Sequence, residues 1–258
     1  MHEIKYKIYV AGVKRNWRGD DLVKKLDLSN LNHEVIWGVD KKDLMDSDSR
    51  IKKNQKYLYG RNLTKGEIAC SISHSLIIRK AKEEQLDYAI ILEDDALVST
   101  DKLNKFIENL QIRKSALISL YHDRRTEALI KNSKKSRNLF RHYLPPTGTV
   151  GYCLTRKAIL QISKNTTESK IRTCQADFPL FYFFNIKFYS VNPKVVDHND
   201  SIESIIDKRN TFIESQFRKI RIYKLLIGMF PFSWRMSIGT FRQYLLFLIR
   251  LRAFRTKD

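Results

Sequence analysis

The sequence predicts an α/β domain over residues 1–207, followed by a basic, amphipathic helical tail over residues 208–258. Short aliphatic runs alternate with stretches of helical period, the pattern of strands covered by helices. With 258 residues, 43% of them hydrophobic and 29% charged, the chain has enough apolar material for one large core. Charge is spread unevenly. The formal net charge is +20, and residues 208–258 hold twelve Lys or Arg against two acids, Glu214 and Asp258. About a fifth of the chain therefore carries half of its net charge.

Ile4–Val10 is rich in β-formers and predicts a first strand, followed by a polar, basic loop through Asp21 that leads to a short helix. Glu34–Val39 predicts a second strand. Thr64-Lys-Gly-Glu67 fits a capping box, and Ile68, Ile72 and Leu76 follow at four-residue steps, so a helix is expected from Thr64 to about Glu84. Tyr88–Leu92 reads as a buried strand. Lys102–Leu110 predicts a helix and Ala116–Leu120 a further buried strand. Arg124–His142 is basic and without period, which predicts a loop or lid. A strand over Val150–Leu154, a helix from Lys157 to Ser163, an aromatic, helical Asp177–Phe184 and a late strand over Lys187–Val196 complete the domain.

Composition narrows the function. Cys70, Cys153 and Cys174 form no closely spaced pair, which argues against a zinc site or a disulfide framework and favours a reducing compartment. The N-terminus lacks the apolar core of a signal peptide, and no run of about 18 uncharged apolar residues predicts a transmembrane helix. The chain is expected in the cytoplasm. Its charge favours an anionic partner. Phe217–Ile227, Phe230–Trp234 and Phe241–Arg252 interleave aromatic and aliphatic residues with Lys and Arg, as in helices that lie on anionic membranes. A helix pair packed on the core with a basic outer face fits the same pattern. No zinc-finger spacing, RNP-type motif or clear helix-turn-helix supports nucleic-acid binding.

The chemistry-bearing residues centre on Glu93-Asp94-Asp95, which follow the Tyr88–Leu92 strand directly. Crowded like charges repel unless a cation sits among them. If the strand's alternation continued, Glu93 and Asp95 would face one side and share a hard divalent cation, Mg²⁺ or Mn²⁺, while Asp94 pointed elsewhere. An acidic turn closing a strand is the structural alternative. Glu67 and His74 lie seven residues apart on one helical face, which fits either a ligand cleft or a half-buried polar edge. Asp177 precedes Phe178-Pro179 and fits an N-cap or a general base. His198 is a candidate metal or phosphate ligand, or an exposed loop residue. Lys14, Arg15 and Arg61 are candidates to grip a pyrophosphate.

Several of these pieces occur in a familiar order. Arg61-Asn-Leu-Thr-Lys-Gly-Glu-Ile-Ala-Cys-Ser-Ile-Ser-His74, followed some twenty residues later by Ile91-Leu-Glu-Asp-Asp95, strongly resembles glycosyltransferase family 25. These are bacterial lipooligosaccharide glycosyltransferases, with collagen galactosyltransferases as distant relatives. Ile8–Arg15, Gly38-Val-Asp40, Gly151–Arg156, Ala176-Asp177 and Asn192-Pro193 through His198 resemble the family's flanking segments. The resemblance covers about residues 4–206. Ala69 and Lys41 stand where the family usually has Gly.

The resemblance implies a GT-A-like nucleotide-sugar-binding domain that transfers a hexose, most often galactose, from a UDP-sugar to a lipooligosaccharide acceptor with Mn²⁺ or Mg²⁺. It implies metal ligation by Asp95 first, Glu93 second and His198 third. Donor binding falls to Lys14, Arg15, Asp40, Arg61, Glu67, His74 and Asp94. Asp177 is the expected base, with Phe178, Phe181 and Tyr182 to stack on sugar faces. The tail would hold the enzyme on the inner face of the cytoplasmic membrane. A basic membrane- or nucleic-acid-binding protein with a structural acidic motif is the non-enzymatic rival. A nucleotidyltransferase is the enzymatic one, although no glycine-rich phosphate loop supports it.

Overall fold

The computed structural model describes residues 4–44, 64–122, 135–136, 138–142, 148–164 and 186–198. Arg61, Asp177 and the whole tail over 208–258 lie outside the described residues. The described strands are β1 (Tyr6–Gly12), β2 (His33–Trp37), β3 (Tyr88–Glu93), β4 (Ala96–Val98), β5 (Ala116–Ser119), β6 (Lys135–Ser136), β7 (Leu139–His142), β8 (Gly151–Thr155), β9 (Lys187–Val191) and β10 (Val196–His198). The α-helices are α1 (Asp20–Leu28), α2 (Lys65–Glu83), α3 (Thr100–Glu108) and α4 (Arg156–Ser163).

Eight strands form one mixed sheet in the order β2-β1-β3-β8-β5-β9-β7-β6. On one side β2, β1 and β3 run parallel, with α1 and α2 as the crossovers that parallel pairing requires. Antiparallel β8 joins β3 to β5, β9 returns parallel to β5, and β7 and β6 close the far edge antiparallel. β10 and β4 form a separate antiparallel pair.

β3 lies inside the sheet and is apolar on both faces, so Ala89, Ile90, Ile91 and Leu92 are all fully buried. Alternation then sorts the core into two layers. On one face Ile8, Val10, Ile90, Leu92 and Cys153 pack with Leu22 and Leu26 of α1 and Leu103 and Phe106 of α3. On the other, Tyr9, Ala89, Ile91, Tyr152 and Leu154 pack with Ile77, Ile78 and Ala81 of α2 and Ala158, Ile159 and Ile162 of α4. Helix, sheet and helix layers result. The N-terminal half of α2 overhangs the strand ends, where Ile68, Ala69 and Ile72 cluster with Leu44.

The expected capping box is present. The Thr64 side chain accepts from the Glu67 backbone N–H, and the Glu67 carboxylate accepts from the Thr64 N–H. The structure corrects two other expectations. The basic stretch read as a loop or lid contains β6 and β7. Its isolated apolar pair Leu139-Phe140 pairs with Val191 and Ser190 at the sheet edge, and Phe140 is buried. The single strand expected over Lys187–Val196 divides into β9 and β10. The cis Asn192–Pro193 peptide lies between them, and β10 pairs with β4 instead of continuing in the main sheet.

The first loops after β1 and β2 meet under α2. The Gly38 N–H donates to the Gly12 carbonyl at 2.8 Å, and the Val39 N–H donates to Ser73 Oγ at 3.0 Å. A Cβ at Gly38 would collide with the Ser73 side chain. Gly38→Ala should therefore destabilise the protein by about 1–3 kcal/mol, the usual cost of overpacking. Urea unfolding measures it, and adding Ser73→Gly should recover part of the loss.

Candidate functional site

The carboxyl ends of parallel strands and the start of a helix are where open α/β sheets hold ligands, because backbone donors and loops converge there. Here the ends of β1, β2 and β3 and the N-terminal half of α2 enclose a cleft. It is lined by Gly12, Arg18, Asp40, Cys70, Ser73 and His74 together with the Glu93–Asp95 run.

Glu93 is the last residue of β3. Its Oε1 accepts a short hydrogen bond from Thr149 Oγ1 and lies 3.3 Å from His74 Nε2. His74 is placed by α2 and fixed from behind, with Nδ1 2.7 Å from the Tyr152 hydroxyl and the two rings stacked. Burial alone would raise the Glu93 pKa, but the His74 and Thr149 contacts outweigh it and hold the carboxyl below its ordinary value. Glu93 is thereby kept ionised.

Asp94 and Asp95 do not continue the strand. They form a turn before β4, so the expected alternation stops at Glu93. The shared Glu93–Asp95 face with Asp94 turned away is corrected accordingly. The guanidinium of Arg18 draws both aspartates to one side, with Nη2 2.6 Å from Asp94 Oδ1 and 3.1 Å from Asp95 Oδ2. His198, at the end of β10, places Nε2 3.5 Å from Asp95 Oδ2. Both aspartates still have raised pKa values, because burial, together with the Glu93 charge, exceeds the relief from Arg18.

Two buried carboxylate oxygens, Asp94 Oδ2 and Asp95 Oδ1, have no hydrogen-bond partner among the described residues. Buried acceptors left in this way cost free energy unless a ligand completes them. Hard oxygen donors with spare lone pairs suit Mg²⁺ or Mn²⁺, so the aspartate pair fits the cation that the sequence implied.

The other expected residues are placed as follows. Arg15 and Lys14 lie in a single 3₁₀ turn after β1. Arg15 contacts Asp40 Oδ2 at 3.3 Å and Asp43 at 3.7 Å, and the Lys14 ammonium sits 5.8 Å from the centre of the Trp37 ring. Asp40 lines the cleft and caps the short Lys41–Asp43 turn, its Oδ1 accepting from the Lys42 N–H. Glu67 is not among the residues lining the cleft, and its buried carboxylate serves the helix cap. His74, Asp94, Asp95, Glu93 and His198 are brought together. Arg18, Thr149, Tyr152 and Cys70 join them without having been singled out. The one signal for Arg18 was the need for a cation among the carboxylates, which does not say which of 48 Lys and Arg supplies it.

A buried acidic cluster at the strand ends of an α/β sheet, beside a cleft, is a candidate active site. Residues 5–178 match the sequence model of Glycosyltransferase family 25 (LPS biosynthesis protein), and the chain belongs to this family. A glycosyl group is therefore what it transfers. The lipooligosaccharide biosynthesis protein lic2B of Haemophilus influenzae is 26% identical over 188 residues, spanning 69% of this chain and 70% of that protein. Two solved structures align at lower similarity. A glycosyltransferase involved in glycosylation of the major capsid of PBCV-1 covers 66% of this chain and 70% of its own at 12% identity, with a TM-score of 0.34. A197 from STIV covers 80% of this chain and 100% of its own at 9% identity, with a TM-score of 0.37.

Arg18→Ala leaves two buried carboxylates without their counter-charge and should cost about 3–5 kcal/mol of stability. The sign of its pH dependence follows from the raised aspartate values. The penalty is full above the folded pKa values and fades as pH falls through them, because protonation removes the buried charges; below the ordinary 3.8 both groups are protonated folded or unfolded. Urea unfolding of wild type and variant at neutral and mildly acidic pH measures this, and Asp94→Asn in the Arg18→Ala background should restore stability.

Proposed function

We propose that this glycosyltransferase moves a hexose, galactose in the first instance, from a UDP-sugar to a lipooligosaccharide acceptor, using Mn²⁺ or Mg²⁺ in a GT-A-like domain. The observation that carries the reading is the pair of buried, unpartnered oxygens on Asp94 and Asp95 at the end of β3. The membership in family 25 supplies the reaction class.

Asp95 and Asp94 are the proposed metal donors, with His198 beside them. Glu93, the second expected ligand, also faces the cleft, held there by His74 and Thr149. A bound cation would supply Lewis-acid stabilisation of the diphosphate leaving group. The chain's own groups do the rest. Arg18 lies against both aspartates, near enough to turn a guanidinium N–H toward a phosphate oxygen when a cation takes over their charge. Arg15 and Asp40, paired at the ends of β1 and β2, offer a donor and an acceptor to the nucleoside end. The acceptor hydroxyl oxygen attacks C1 of the sugar, the bond from C1 to the phosphate oxygen breaks, and UDP leaves. In an inverting transfer the hydroxyl proton passes to a carboxylate on the acceptor side. Asp177 is assigned that role and Arg61 a donor contact on sequence grounds.

The tail over 208–258 is proposed to hold the enzyme on the anionic inner face of the cytoplasmic membrane, where a glycolipid acceptor is presented. No nucleic-acid partner is proposed. Among the described residues no helix is long and apolar enough to cross a membrane.

A panel of UDP-hexoses with Mn²⁺ and a lipooligosaccharide acceptor, read as UDP release, tests the reaction. UDP-galactose should give the highest rate, and EDTA or Asp95→Ala should reduce it at least 100-fold, a loss of about 2.7 kcal/mol of transition-state stabilisation. Full activity in EDTA would refute the metal role. Asp177→Asn should lower kcat by roughly 10²–10⁴, and near-normal turnover would remove it as the base. Deleting residues after Asn210 should weaken binding to anionic liposomes, measured by co-sedimentation.

A further inference from the structure

The same cleft holds a second set of donors of different chemistry. Cys70 and His74 are four residues apart on α2 and therefore project from one face. Glu93 meets them from the end of β3. One ligand atom from each residue, the Cys70 sulfur, a His74 ring nitrogen and a Glu93 oxygen, lies within 4.8 Å of the others. In tetrahedral zinc sites with bonds of 2.0–2.3 Å, neighbouring ligand atoms stand about 3.3–3.8 Å apart.

We propose that Cys70, His74 and Glu93 form a site for a borderline-soft divalent cation, Zn²⁺ in the first instance, distinct from the all-oxygen donors of Asp94 and Asp95. The inference goes beyond glycosyl transfer and does not rest on it. Three features argue for it. A thiolate, an imidazole and one carboxylate select Zn²⁺ over Mg²⁺ and Mn²⁺, which prefer oxygen throughout. Each non-sulfur ligand is held by an outer partner, as metal ligands are. Tyr152 Oη engages His74 Nδ1 at 2.7 Å and leaves Nε2 toward Glu93, while Thr149 Oγ1 fixes the Glu93 carboxylate. Finally, three protein ligands leave a fourth position, and all three residues line the cleft.

The proton balance is simple. Neutral His74 starts with its proton on Nε2 toward Glu93; on binding that proton moves to Nδ1, where it is donated to Tyr152 Oη, Nε2 takes the cation, and Cys70 gives up its thiol proton to solvent. One proton is released per cation bound. The spacing of the cysteines argues against a zinc site, and this proposal departs from that expectation. Here the partners of Cys70 are a histidine one helical turn away and a carboxylate from another element.

Co²⁺ is the probe, because a cobalt–thiolate bond gives a ligand-to-metal charge-transfer band in the near ultraviolet that oxygen ligands do not. The full chain, stripped of metal, is titrated with CoCl₂ without any sugar nucleotide. The expected result is a band that saturates at one equivalent, disappears on adding Zn²⁺ and persists with excess Mn²⁺. Cys70→Ala should abolish it and His74→Ala weaken cobalt binding at least tenfold, both with unchanged circular dichroism. Cys174→Ala and Asp95→Ala should keep it. No band in the wild type, or a band that survives Cys70→Ala, overturns the proposal. A band lost in Asp95→Ala overturns the separation of the two sites. None of these outcomes depends on transfer activity, so the two proposals fail separately.

Discussion

The structure depends on one electrostatic constraint, three carboxylates crowded at the end of β3, whose Ala89–Leu92 segment is fully buried. Glu93, Asp94 and Asp95 cannot all be ionised in such a place without compensation. The chain divides the problem. Glu93 is turned toward one wall, where His74 and Thr149 favour its charged form. Asp94 and Asp95 are turned toward the other, where Arg18 spans them. Each wall is built from a different part of the fold, with Arg18 from the segment after β1, His74 from α2 and Thr149 from just before β8.

That compensation is incomplete, and the incompleteness is informative. Burial still raises both aspartate pKa values, and one oxygen of each lacks a partner. A purely structural acidic turn would gain from satisfying those atoms or from replacing the acids altogether. An arrangement that keeps ionisable groups buried, clustered and under-neutralised at the rim of a cleft has the character of a functional site. Arg18 is the internal counter-charge of the pair.

Local features were legible in the sequence and long-range ones were not. The capping box at Thr64 and Glu67 and the apolar Tyr88–Leu92 run are encoded within a few residues, and both are found where the pattern put them. Glu67 carried two readings, and the cap accounts for its carboxylate. Arg18 joins Asp94 across 76 positions of sequence, so no spacing points to it in a chain this basic. Thr149 and Tyr152 reach the site only because β8 runs antiparallel beside β3, a pairing that local pattern does not specify. The turn at Asp94-Asp95 was misread because strand alternation was extended past the strand's end. The division of Lys187–Val196 escaped notice for a similar reason. Both halves have strand composition, and only tertiary pairing sends β10 to β4.

The family places this chain among the glycosyltransferases, and the cleft supplies the physical account of how a diphosphate donor would be held. The account turns on whether the Asp94–Asp95 pair recruits a cation that in turn holds the diphosphate. Calorimetric titration of UDP into the purified protein, with Mn²⁺ and separately with EDTA, tests this without any acceptor or sugar. The account predicts saturable UDP binding with Mn²⁺ that weakens at least tenfold in EDTA. Equal affinity in the two conditions would contradict it.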